Sequence, residues 1–249
     1  MTATNTPSHP LPPDGGAGEG RNLIPNRENG GSHASHVSPP AGEPEGAVLL
    51  SSTYFGPVQW YQKLNTRRCL LEQHDNFVKQ TYRNRCVIAA ANGPQTLTIP
   101  TTHDTSMRIT DIRISDHANW RHVHWNALAS AYGESPFFEY YQDDIRPFYE
   151  RRWEFLFDFN WAIMEKMIEL LDLRPHVGCT DSYLPASADG WSDEMDDFRA
   201  FIRPKHPPAD ADFVPRAYYQ VYGQRHGFIP NLSVLDLLFN QGNEAILWL

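Results

Sequence analysis

Residues 1–46 contain no aromatic side chain, whereas every Trp, Tyr and Phe of the chain (7, 11 and 13) lies between 47 and 249. That asymmetry limits folding more than any other feature, because a segment without large apolar groups cannot bury enough surface to offset the entropy of ordering it. The same stretch holds 8 of the 16 glycines and 8 of the 20 prolines, and its His9, His33 and His36 read as solvated. The expectation is a disordered tail over 1–46 and one folded domain over 47–249, with no repeat and no second linker. The Pro-rich piece 203–212 reads as an ordered surface loop.

Charge and apolar patterning then exclude several classes. The net charge of −9 gives no overall reason to expect a nucleic-acid partner. No run approaches the roughly 18–20 apolar residues of a membrane helix, and the N-terminus lacks a secretory signal, so a cytoplasmic location is expected. Cys69, Cys86 and Cys179 are too few for a disulfide framework or a thiolate zinc site and read as reduced thiols.

Local patterns predict alternating strands and helices. Ala47-Val-Leu-Leu-Ser-Ser-Thr reads as a buried strand leading into a helix from Pro57 to Leu64, and Cys69-Leu-Leu-Glu-Gln as a second apolar run. Asn92-Gly93 marks a hairpin between Cys86-Val-Ile-Ala-Ala-Ala and Thr96-Leu-Thr-Ile-Pro. Asp111-Ile-Arg-Ile-Ser alternates as a strand, and Ser115 or Asp116 is placed to cap a helix with Trp120, Val123, Ala127 and Ala131 on its apolar face, ended by Gly133. A long helix is predicted from Pro147 to Leu171, strands at Val177–Thr180 and Tyr218–Tyr222, and a last helix from Leu232 to Gln241 with Ser233, Asp236 and Gly242 at cap positions. These elements predict an α/β domain, a mixed sheet flanked by helices, with α+β as the alternative.

Two constellations stand out chemically. Lys79-Gln-Thr-Tyr-Arg-Asn-Arg85 is a cationic cluster in an acidic chain. On a strand Arg83 and Arg85 would share a face and grip a phosphate or carboxylate, or they would form a solvated face or internal ion pairs. The second is the run Asp116–Asn126, with His122 and His124 between tryptophans. On a helix these histidines lie about 200° apart and cannot share a metal ion, but either is a candidate general base. Tyr54 follows the first strand, where open α/β sheets bind ligands, and so becomes a candidate pocket wall. No GxGxxG, P-loop, G-x-S-x-G or HExxH motif is present, and Cys179 has no base placed for it by sequence. Asp143-Asp144 and Asp196-Asp197 read as solvated charges.

Several of these segments occur together in a recognisable order. Ser52-Thr-Tyr-Phe-Gly-Pro57, Tyr82-Arg-Asn-Arg-Cys86, Leu97-Thr-Ile-Pro100, the stretch Asp111–Tyr132, Ser135-Pro-Phe-Phe138 and Pro230–Asn240 resemble the WbqC-like family over about residues 48–249. The resemblance implies an association with O-antigen and other surface-polysaccharide gene clusters, and a transferase that adds glycine or another acyl group to a sugar. It also implies similarity to Rossmann-like, nucleotidyltransferase-like α/β folds, although residues 47–249 carry no His-x-x-His element. The resulting expectation is an anionic small-molecule substrate such as a sugar phosphate, nucleotide sugar or acyl donor, with no metal or dinucleotide indicated. Lys79, Arg83 and Arg85 would hold it, Asn84 would orient the acceptor, His122 or His124 would take its proton, and Tyr54, Tyr132, Asn231 and Asp236 would line the site. A non-catalytic binding protein using the same basic segment is the rival, and a purely structural subunit the third reading.

Overall fold

The computed structural model describes residues 46–102, 107–186 and 195–249. The tail expected over 1–46 lies almost wholly outside them. Strand β1 (Ala47–Leu50), helix α1 (Val58–Thr66) and strand β2 (Cys69–Leu71) form a parallel crossover, joined by β7 (Val177–Cys179) beyond β2 and β8 (Met195–Asp197) beyond β1. All pairings in this four-stranded sheet are parallel, with Val48 opposite both Cys69 and Asp196. The apolar runs AVLL and CLL suit it, since a parallel sheet is covered on both faces.

Because all four strands run the same way, their carboxyl ends share one edge. The ladder continues past them through Glu72 N to Leu50 O, Thr180 N to Leu71 O and Phe198 N to Leu49 O, each 2.9–3.0 Å. Two small antiparallel ladders complete the α/β character. One is the hairpin of β3 (Arg85–Ala90) and β4 (Gly93–Thr98), turning at Asn92 with Gly93 at φ 106°, and the other pairs β5 (Thr101–Thr102) with β6 (Arg113–Ile114).

Helix α2 (Trp120–Tyr132) ends at Gly133 as expected, but it buries Trp120, His124, Leu128, Ala131 and Tyr132. Val123 stays 55 % exposed. The stripe is rotated by one residue from the predicted one, which brings His124 inward. Neither Ser115 nor Asp116 caps α2: Ala118 and Asn119 take left-handed φ values of 67° and 44°, and Asp116 instead pairs with Arg121. Helix α3 (Phe138–Ile145) comes next, and the expected helix over 147–171 is divided into α4 (Pro147–Glu150) and α5 (Leu156–Leu170). Residues 151–155 are non-helical because Ile114 N bonds to Glu154 O and Leu156 N to Ile112 O, so pairing with β6 and the residue before it outcompetes helix propensity there.

The predicted strand over Tyr218–Tyr222 is irregular, leading into the short α6 (Gly223–His226). The Gln220 side chain supplies what a strand partner would, accepting from Ile229 N and donating to Ile229 O. Helix α7 (Val234–Gln241) fits its end signals: Ser233 Oγ accepts from Leu235 N, and Gly242 sits at φ 60° where an added Cβ would lie 2.7 Å from the Phe137 ring. Asp236 is no cap. Its buried carboxylate accepts from Tyr132 OH (2.9 Å), Tyr218 OH and Gln220 Nε2 (both 2.8 Å).

Candidate functional site

The carboxyl edge of the parallel sheet carries a dense set of charged groups, supplied by the segments that follow β2 and β8 and by the turn before β3. Asp75 follows β2, Arg199 follows β8, and Arg83 enters from the turn before β3. Arg83 is only 5 % exposed; its Nη2 lies 2.9 Å from Asp75 Oδ2, and Thr81 Oγ1 lies 3.5 Å from its Nη1. Its position is fixed from the backbone too, since Asn160 Nδ2 of α5 donates to Arg83 O at 2.7 Å. Burial pushes the Arg83 pKa down, Asp75 opposes that, and Arg199 adds a further lowering. Arg199 donates to both carboxylate oxygens of Asp197 (2.6–3.1 Å) and to Leu184 O. Burial acts against its charge, and Asp197 together with Asp75 and Glu72 more than offsets this and raises its pKa. Behind it, the buried Glu72 accepts from Thr180 Oγ1, His74 N and Leu184 N, with Arg199 Nη1 3.6 Å away.

These groups border an open cleft of about 260 Å³, lined by Arg83, Arg199 and Arg203, by Asp75 and Asp197, and by Thr81, Val78, Tyr183, Ala186 and Ala200. Among the described residues three arginines face two aspartates there, a local cationic excess in a chain of net charge −9. Asp75 and Thr81 use only part of the Arg83 donor set, and a guanidinium matches carboxylate and phosphate oxygens in pairs. Behind the arginines a void of about 10 Å³, the size of a single water, is bordered by Ser51 and Thr53. Their hydroxyls are buried with no hydrogen-bond partner among the described residues.

The sequence-predicted residues are distributed over several places. Only Arg83 lines this cleft. It precedes β3 instead of lying on it, so it does not share a strand face with Arg85. Lys79 is exposed and Arg85 half-buried. Asn84 is buried and donates from Nδ2 to Ile99 O, fastening the end of β4. Tyr54 is fully buried, its hydroxyl 3.0 Å from His124 Nδ1 and 2.8 Å from Tyr149 OH. Burial lowers the His124 pKa to about 4, so its imidazole is neutral near neutrality. His122 is exposed and lies 2.9 Å from Asn126 Nδ2. Tyr132 meets Asp236, and Asn231 Oδ1 accepts from Gln59 N in the first turn of α1.

Asp75, Arg199 and Tyr183 carry no role in the sequence reading, where Asp197 is only a solvated charge and Arg203 only part of a surface loop. The signal that finds Asp75 is its place a few residues beyond the apolar run Cys69–Leu71, where the rule for open α/β sheets puts ligands, whereas Arg199 follows Met195-Asp-Asp197, which carries no apolar signal. Asp196 and Asp197 are also not the solvated pair expected, because they bind Arg67 and Arg199. Burial raises the Cys179 thiol to about 11 and Cys69 to about 12, which disfavours the thiolate at neutral pH. Among the described residues no group of three or more His, Cys, Asp or Glu is placed to hold a metal ion, and no helix is long and apolar enough to cross a membrane.

The chain belongs to the WbqC-like protein family, which it matches over residues 52–196. It is 26% identical over 194 residues to the uncharacterized protein Rv1507c of Mycobacterium tuberculosis, a similarity that covers 68% of this chain and 81% of that protein. No solved structure matches. The family match spans Asp75 and Arg83 and stops just before Asp197 and Arg199.

Proposed function

We propose that this WbqC-like chain is a transferase that takes a phosphate- or carboxylate-bearing substrate in the cleft at the carboxyl edge of its parallel sheet. The observation that carries this reading is Arg83: a guanidinium withdrawn from bulk solvent yet bordering an open cleft, beside two further arginines. A partly desolvated guanidinium holds an anion more strongly than a surface lysine does, and it also stabilises negative charge that develops during group transfer. Asn160 and Asp75 pre-set its position, so little ordering is needed on binding. An activated sugar used in surface-polysaccharide assembly is the substrate that the family resemblance favours.

A second reading, binding without turnover, draws support from the chemistry of the cleft. Both of its aspartates are committed to arginines, and neither His122 nor His124 lines it. A carboxylate held by a guanidinium is a weak base.

The test is thermal denaturation of the full chain with inorganic pyrophosphate, sugar phosphates and acyl donors, followed by mass spectrometry for transfer from any donor that binds. A saturable rise in melting temperature that Arg83→Gln abolishes, together with transferred product, is the expected result. Saturable binding without product supports the binding protein. No shift with any anion removes the reading.

A further inference from the structure

The rim of the arginine cleft is apolar where its floor is charged. Tyr183 and Val78 line it and are 51 % and 48 % exposed, and Ala186 and Ala200 complete the apolar part. Of the large exposed aromatic side chains among the described residues, Tyr140, Tyr183 and Tyr219, Tyr183 alone borders this cleft. It has no hydrogen bond and no ring partner among the described residues. An aromatic ring left exposed beside a cationic floor is suited to a ligand that is flat and apolar at one end and anionic at the other.

Size points the same way. About 260 Å³ is a little less than the roughly 300 Å³ at which pockets begin to enclose a whole small-molecule ligand. The cleft therefore has room for a phosphorylated end, with the attached group lying against the rim. Arg203, exposed at the margin, adds a third guanidinium and so matches more than one phosphate.

From these features we infer that the anion taken by the cleft is the diphosphate of a nucleoside diphosphate, whose base stacks on Tyr183. This rests on the anion-site reading of Arg83 and extends it to the group the anion carries. Binding is reversible and breaks no bond. Arg83 and Arg203 donate to the diphosphate oxygens, and the Tyr183 ring contributes a stacking face that accepts any base.

Calorimetric titration of the full chain with inorganic pyrophosphate, uridine diphosphate, adenosine diphosphate and uridine separates the two layers of the argument. Both nucleoside diphosphates should bind about tenfold more tightly than pyrophosphate, the usual scale for stacking one base on an aromatic side chain, and uridine should bind more weakly still. Tyr183→Ala should bring the nucleoside diphosphates down to the pyrophosphate level, and Tyr183→Phe should retain the difference. Arg83→Gln should abolish all binding. Arg203→Gln, at an exposed position, should weaken every phosphate ligand in a protein with an unchanged circular dichroism spectrum. If pyrophosphate binds in an Arg83-dependent way and the nucleoside adds nothing, or Tyr183→Ala changes nothing, the nucleotide inference is overturned and the anion site survives. If neither pyrophosphate nor nucleoside diphosphate binds the parent chain, the anion site fails and takes this inference with it.

Discussion

Asp75 and Arg83 meet at 2.9 Å across the carboxyl edge of the parallel sheet, the arginine almost fully buried and the aspartate about a fifth exposed. Removing either partner leaves a charge in a place built for two. Because burial penalises the unpaired arginine more, Asp75→Asn should cost more stability than the same change at an exposed pair, about 1–3 kcal/mol, by urea denaturation. The double variant Asp75→Asn with Arg83→Met should cost less than the sum of the singles. Additive losses would show that the two side chains do not depend on each other. In calorimetric titration Asp75→Asn should tighten pyrophosphate binding, since it frees a guanidinium that the carboxylate now shares.

Tyr54 sits in the aromatic core, bridging His124 and Tyr149. Tyr54→Phe keeps the ring and deletes only the hydroxyl, which leaves His124 Nδ1 and Tyr149 OH without that partner. The expected loss is about 1–3 kcal/mol, with pyrophosphate affinity unchanged. A large drop in affinity with unchanged stability would relocate the functional site to this trio.

The pH dependence of stability should show two opposed contributions. His124 is held neutral by burial with its pKa near 4, below its unfolded value, so the unfolded chain binds the extra proton and stability is lost as pH falls from about 6.5 to 4. Asp236 has its pKa raised to about 6, mainly by burial and against the hydrogen bonds from Tyr218, Gln220 and Tyr132. There the folded chain binds the extra proton, so stability is lost as pH rises from about 4 to 6. Each effect is on the order of a few kcal/mol, and between pH 4 and 6 they largely cancel. Asp236→Asn should therefore steepen the loss of stability on acidification, and His124→Gln should flatten or reverse it. Parallel curves for the two variants would refute the assignment.

Lys63 of α1 and Asp210 of the Pro-rich stretch form an ion pair at 2.9 Å, both almost fully buried, and Gln59 Nε2 donates to the same carboxylate at 2.8 Å. Asp210→Ala strands the lysine and should cost about 3–5 kcal/mol, whereas Lys63→Met with Asp210→Leu together should cost much less. Limited proteolysis should cut the 203–212 segment faster in Asp210→Ala. Equal cutting rates would mean that the pair does not anchor this segment.

Residue order and apolar patterning by themselves determined the α/β class, the opening strand and helix, the hairpin at Asn92-Gly93 and the capped final helix. Those features depend on contacts within a few residues, such as Ser233 with Leu235 or the φ that Gly242 must adopt. Tertiary structure decided the rest. The segment 151–155 left its helical pattern because Ile112 and Ile114 offered backbone partners, and Gln220 replaced a strand by bonding to Ile229. The candidate site shows the same division. Arg83 was visible as a cation in an acidic chain, but its partners Asp75 and Asn160, and the Arg199 and Tyr183 that join it at the cleft, come from separate parts of the sequence. Parallel pairing of β1, β2, β7 and β8 brings the ends of distant segments to one edge, and no local pattern records which segments will pair.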